Sequence, residues 1–78
     1  MVYIGNIITA IQSLTPETKV VLCYRSGNRS IVYYGDKIEK SGGDLKITRI
    51  SRKGDEILCI FYVDCAEIEE IIVNGDIL

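Results

Sequence analysis

The chain has 78 residues, 47% of them hydrophobic and 26% charged, with one proline, three cysteines and no histidine. That length makes one domain, residues 1–78, near the size where a single core only just offsets the entropy lost on folding, and the apolar content excludes a disordered chain. A formal charge of −2 excludes a general affinity for nucleic acid, and no apolar run approaches the ~20 residues that cross a bilayer, so a cytoplasmic protein without a membrane partner is expected.

Ile4, Ile7, Ile8, Ile11 and Leu14 recur at intervals of three and four, which gathers them on one side of a helix from Ile4 to Leu14. Asn6 is its expected cap, and Thr15-Pro16 ends it, because a residue before proline avoids the helical region. Lys19–Tyr24 and Ser30–Tyr34 are rich in β-branched and aromatic residues and flank a short polar tip, the pattern of an antiparallel hairpin. Ser41-Gly-Gly-Asp44 reads as a turn, Leu45–Thr48 as a half-exposed strand, and Arg52-Lys-Gly-Asp55 as another turn.

Ile57–Val63 is apolar at every position, which marks it as a central strand with both faces covered, by the helix and by a curled sheet or a second subunit. Asp64 with Glu67 suits the start of one helical turn, and Ile68–Val73 fits helical or strand spacing; the reading favoured is a short turn into a last strand ending at Asn74-Gly75. The expected class is α+β: one N-terminal helix packed on a four- to five-stranded antiparallel meander or a small partial barrel.

Cys23, Cys59 and Cys65 sit among apolar neighbours and read as small buried hydrophobes. Without histidine a tetrahedral zinc site lacks its fourth ligand and a nucleophilic thiol lacks its usual base, so neither metal nor cofactor is expected. Asp36, Glu39, Asp44, Asp55, Glu56, Glu67, Glu69 and Glu70 read as solvated charges. There is no Gly-x-Ser-x-Gly elbow and no phosphate loop. Binding, and not catalysis, is the expected activity.

The candidate site is the stretch YRSGNRSIVYYG, Tyr24 to Gly35. Amides around Ser26-Gly27-Asn28 form an anion-binding concavity if Gly27 or Asn28 is left-handed, and Arg25 and Arg29 are placed to close on a phosphate or carboxylate. Arg49, Arg52 and Lys53 add charge at a tip expected to fall at the same end of the sheet. Tyr24, Tyr33 and Tyr34 supply aromatic surface; the last two face opposite sides of a strand, so at most one of them belongs to the core side. Tyrosine beside arginine suits a protein interface or a base stacked on a ring with its phosphate on a guanidinium. An ordinary polar hairpin has the same residues.

Two stretches carry resemblances. Leu14-Thr-Pro-Glu-Thr-Lys-Val-Val-Leu22, after an amphipathic helix, resembles small phage-encoded accessory proteins. That resemblance implies an inhibitor that occupies a surface of a larger host protein, such as a defence factor, or captures a signalling nucleotide as an oligomeric sponge. The helix followed by bent strands, closing with Ile71-Ile-Val-Asn-Gly-Asp-Ile-Leu78, resembles the Sm-like and SH3-like small barrels. It implies an RNA-binding ring, although Asn74 stands where that family carries a basic residue and the Asp and Asn pair of its first motif has no counterpart between Val20 and Tyr34.

Overall fold

The computed structural model describes residues 2–74, the side chain of Asn74 excepted. Helix α1 (Ile4–Gln12) is followed by β1 (Lys19–Tyr24), β2 (Arg29–Tyr33), β3 (Lys37–Ser41), β4 (Asp44–Ile50), β5 (Ile57–Asp64), a 3-10 turn (Cys65–Glu67) and β6 (Ile68–Asn74). Nine residues are too few for a helix to persist alone in water, so α1 depends on the face it buries. Ile7 and Ile11 are that face, joined by Leu14 beyond the helix end. Asn6 is not the cap: half-buried Ile4 packs against the core and draws the first turn inward, so Asn6 is already helical and its N–H donates to the Tyr3 carbonyl at 2.9 Å. The chain leaves the helix through the turn containing Pro16, which Thr18 closes by donating its N–H to the Thr15 carbonyl at 3.0 Å.

The class is α+β, as expected, but among the described residues the strands number six and divide into two antiparallel sheets of three, β2-β1-β6 and β3-β4-β5. The division comes at residues 34–36. Gly35 takes a φ of 89°, a conformation that residues with a Cβ rarely adopt, and the Asp36 N–H donates to the Tyr33 carbonyl at 3.1 Å, so the chain turns a corner after β2 into β3. β3 itself, Lys-Ile-Glu-Lys-Ser, has one apolar residue and no alternating pattern; it becomes a strand because β4 offers it a partner, with Ile38 opposite Ile47.

The two sheets share one core. Val20 and Leu22 of β1 and Val32 of β2 meet Leu45 and Ile47 of β4 and Val63 of β5, with Ile7, Ile11 and Leu14 from the helix segment and Cys65 and Ile68 at the turn that joins the sheets. That turn forms as expected: Asp64 caps it, its Oδ1 accepting from the Ala66 N–H at 3.1 Å, and β6 then pairs with β1. The bend expected at Asn74-Gly75 and the apolar end of 71–78 fall outside the described residues, apart from the part of β6 up to Asn74.

β5 is not a central strand. The middle positions belong to β1 and β4, and β5 is the outer edge of the second sheet. Residues directly opposite one another share a face. Leu45 with Val63 and Ile47 with Phe61 therefore face the core, while Lys46 with Tyr62 and Thr48 with Ile60 face outward. Leu58 is the extra residue of a bulge, because Arg49 pairs with Cys59 but Ile50 pairs with Ile57. Ile57, Leu58, Ile60 and Tyr62 consequently stand on the outer surface, 60%, 58%, 46% and 60% exposed. Apolar residues on both faces implied two coverings; among the described residues the chain supplies one.

Candidate functional site

Three connections meet at one end of the molecule: the loop after α1, the corner between β2 and β3, and the turn between β4 and β5. Between them lies an open groove of about 700 Å³ whose walls include Pro16, Tyr33, Tyr34, Ile50, Arg52 and Leu58. Its floor is set by Arg49. The Arg49 guanidinium donates from Nη2 to the Ile31 carbonyl at 2.7 Å and to Asp36 Oδ2 at 2.8 Å, and its Nε donates to both Asp36 oxygens. The Tyr33 N–H donates to the same carboxylate at 2.9 Å.

This cluster fastens the second sheet to the corner where the first one ends. Its guanidinium also lies over the Tyr33 ring, 4.7 Å from the centroid, and within 5.5 Å of the Phe61 ring, so Tyr33 is held in place before anything binds. The hydrogen bonds that Arg49 donates to Asp36 raise the Arg49 pKa further above its usual value, with burial opposing and the carboxylate charge adding. Asp36 was expected to be solvated; its side chain is 4% exposed, because the turn at Gly35 folds it back beneath Arg49.

The β4–β5 turn carries the other cations. Ser51 donates its hydroxyl to Asp55 at 3.0 Å, and its backbone closes with Glu56 and Gly54. Arg52 lines the groove from this turn, and exposed Lys53 follows it. Among the described residues no carboxylate lies within 4.0 Å of Arg52. Tyr33 and Tyr34 are 42% and 58% exposed, so neither belongs to the core; Tyr33 leans on Arg49 and Tyr34 sits in the turn beyond the strand.

The remaining candidates are elsewhere. The tip between β1 and β2 lies against the 3-10 turn at the far end of β5: the Arg25 N–H donates to the Glu67 carbonyl at 3.0 Å, and the side chains approach to 4.0 Å, an exposed pair worth little. The Arg52 tip leads into the start of β5. Eight residues at ~3.3 Å each separate the two tips by roughly 25 Å along that strand, so they do not share an end of the sheet. The expectation failed because the corner at Tyr33–Asp36 sends β3 into the other sheet.

Nor is the tip an anion cradle. Gly27 is left-handed, with φ 94°, yet its N–H donates to the Tyr24 carbonyl and that of Asn28 to Ser26 Oγ, so the amides are spent on the chain's own acceptors. The hollow beside it, about 250 Å³, is lined by Tyr24, Ser26, Asn28, Asp64 and Glu67, and two carboxylates repel an anion. The Tyr24 hydroxyl is occupied with Ser30 Oγ at 2.8 Å. Arg29 opens β2, exposed, opposite Cys23. Of the nine residues expected to bind, Tyr33, Tyr34, Arg49 and Arg52 line one groove, Lys53 follows on its rim, and Tyr24, Arg25, Asn28 and Arg29 are at the other end. Pro16, Ile50 and Leu58, also groove residues, were missed; only their contact across three connections unites them.

The cysteines divide in a way that labelling can read. Cys23 and Cys65 are buried, and Cys59 is exposed on β5, because its position on the core-facing side lies beyond the covered part of the sheet. Burial raises the Cys65 thiol pKa, and the nearby Asp44 and Asp64 charges add to the effect. With a chromogenic disulfide at neutral pH, one thiol per chain should react within seconds to minutes, and two only on denaturation. A Cys59→Ser chain that still shows a fast thiol contradicts this assignment.

Comparison of the chain with protein-family models, with curated proteins and with solved structures returned no match.

Proposed function

We propose that this protein is a non-enzymatic, cytoplasmic binding protein, an inhibitor of the phage type that occupies a surface of a larger host protein with the groove at the Tyr33–Asp36 corner. The observation that carries this reading is the composition of that groove. Two exposed tyrosines, one of them pre-positioned by Arg49, stand with Pro16, Ile50 and Leu58 beside a single uncommitted arginine. Tyrosine and arginine over an apolar patch are the residues that anchor protein interfaces, and a ring already held in place loses little entropy on binding.

Charge weighs the protein partner against a nucleotide. A phosphate-bearing ligand calls for several convergent donors, whereas Arg49 is neutralised by Asp36 and only Arg52 is left among the groove's lining cations. A photo-crosslinking amino acid at position 34, with position 40 on β3 as control, tests the assignment in the producing cell. The expected result is a crosslink at 34 to one protein, absent at 40 and lost with Arg52→Glu. The competing result comes from heating the purified chain with a nucleotide panel: a ligand at about 100 times its dissociation constant stabilises by about 2.7 kcal/mol, and such a shift for any nucleotide would replace the protein partner by that ligand.

A further inference from the structure

We propose that the outer edge of β5 is a self-association surface, and that two copies of this chain pair β5 with β5 in antiparallel fashion about a two-fold axis through Ile60. The proposal is independent of the groove, to which this edge contributes Leu58 alone.

Among the described residues four strands have an unpaired side: β2, β6, β3 and β5. Natural proteins guard such edges with charge, because an open row of N–H and C=O groups recruits other chains. β3 carries Lys37, Glu39 and Lys40; β6 carries Glu69 and Glu70; β2 opens with Arg29. β5 has no charged residue from Ile57 through Val63. Its outer side chains are nonetheless exposed, and its bulge at Leu58 stands next to Ile50 and adds to the same patch. Pairing along the edge sets these side chains beside apolar neighbours across the new strand pair and so buries part of that patch.

The occupant follows from register. In an antiparallel pair related by a two-fold axis perpendicular to the sheet, residue numbers opposite one another have a constant sum, and opposite residues share a face. Centring on Ile60 sets Ile60 against itself, Leu58 against Tyr62 and Cys59 against Phe61, each pair on one face; the bulge turns Ile57 outward, so the regular pairing ends at Leu58. Each residue from Leu58 to Tyr62 then meets an apolar residue. Moving the axis one residue towards the N-terminus leaves only Leu58, Cys59 and Ile60 to pair before the bulge, and moving it the other way sets Leu58 against Asp64. β6 as the occupant would bring Glu69 and Glu70 against the apolar run. The strand's own copy matches it from Leu58 to Tyr62, and the ladder formed is β3-β4-β5 continued by β5-β4-β3 of the second copy. The grooves of the two copies then lie towards opposite ends of the shared ladder, so the assembly presents two binding sites.

Light scattering on the intact chain at about 100 µM should give twice the single-chain mass of 8.7 kDa. Ile60→Lys, at an outward position, should raise the dissociation constant of the pair by about 100-fold or more with the melting curve of the diluted monomer unchanged. The register is tested separately. In a Cys59→Ser background, Ile60→Cys should form an intermolecular disulfide under mild oxidation, because opposite residues in such a pair have Cα atoms within disulfide range. Tyr62→Cys in that background should crosslink to Leu58→Cys and not to itself. A monomer at 100 µM overturns the proposal, as does a dimer indifferent to Ile60→Lys. An assembly larger than two, or a dimer without the 60–60 disulfide, overturns the two-fold β5 pairing.

Discussion

Arg49→Ala should lower the stability of the chain by about 3 kcal/mol, the lower part of the range for removing one partner of a buried ion pair, since the Arg49 side chain keeps 26% of its exposure. For a domain of this size that is a fall of roughly 12–24 °C in melting temperature. The loss is large because of what remains. Without the guanidinium, Asp36 is a carboxylate 4% exposed, holding only the Tyr33 N–H, and the Ile31 carbonyl loses its donor.

A double-mutant cycle separates the pair from the packing. Asp36→Asn keeps the volume and an acceptor for Tyr33 and should cost about 1 kcal/mol; the double substitution Arg49→Ala with Asp36→Asn should recover at least about 1 kcal/mol of the summed losses. Arg49→Lys should recover little, because an ammonium has no fork to reach Ile31 and both Asp36 oxygens together. Strict additivity in the cycle would show that the corner is held by other contacts. The same variants report on the groove, whose Tyr33 ring loses its support when Arg49 is truncated.

The second large effect belongs to the helix. Ile7→Ala should cost about 3 kcal/mol by urea denaturation, since Ile7 is fully buried and a cavity of this kind typically costs 2–5 kcal/mol. Helical circular dichroism should fall before the sheet signal, because nine residues without their buried anchor do not stay helical. Thr9→Ala, on the exposed side, removes a hydroxyl that donates to the Gly5 carbonyl at 2.9 Å and should change stability by no more than about 0.5 kcal/mol. An unaltered urea midpoint for Ile7→Ala would detach the helix from the core.

The outcome at each element tracks how local its cause is. α1 was readable because the spacing of Ile4, Ile7, Ile11 and Leu14 states a periodicity within one turn or two, and the β1–β2 hairpin because its strand formers flank a polar tip. The cap was misplaced although Ile4 belongs to that period: the helix begins at Ile4, Tyr3 is its cap and Asn6 lies inside the first turn. The 3-10 turn was readable in Asp64, whose carboxylate acts two residues away.

The candidate site was half readable for the same reason. Tyr33, Tyr34, Arg49 and Arg52 drew notice by residue type, and they do meet; Arg25, Asn28 and Arg29 drew notice equally, but Arg25 lies by Glu67, Asn28 lines a hollow with Asp64 and Glu67, and Arg29 stands opposite Cys23. Nothing in the residue types distinguished the two sets. What separated them was a single bend at Gly35, which sends β3, and with it β4 and β5, into the second sheet.

By itself, then, the sequence determined the α+β class, the buried face of the helix, the first hairpin and the absence of charge along Ile57–Val63. Only the tertiary structure decided that β3 is a strand, that β5 lies at an edge, that Asp36 is buried under Arg49, and which arginines share a surface. The physical reason is range. Side-chain period and turn chemistry act over a few residues, whereas the sheet to which a strand belongs, and whether its second face is covered, depend on partners far along the chain.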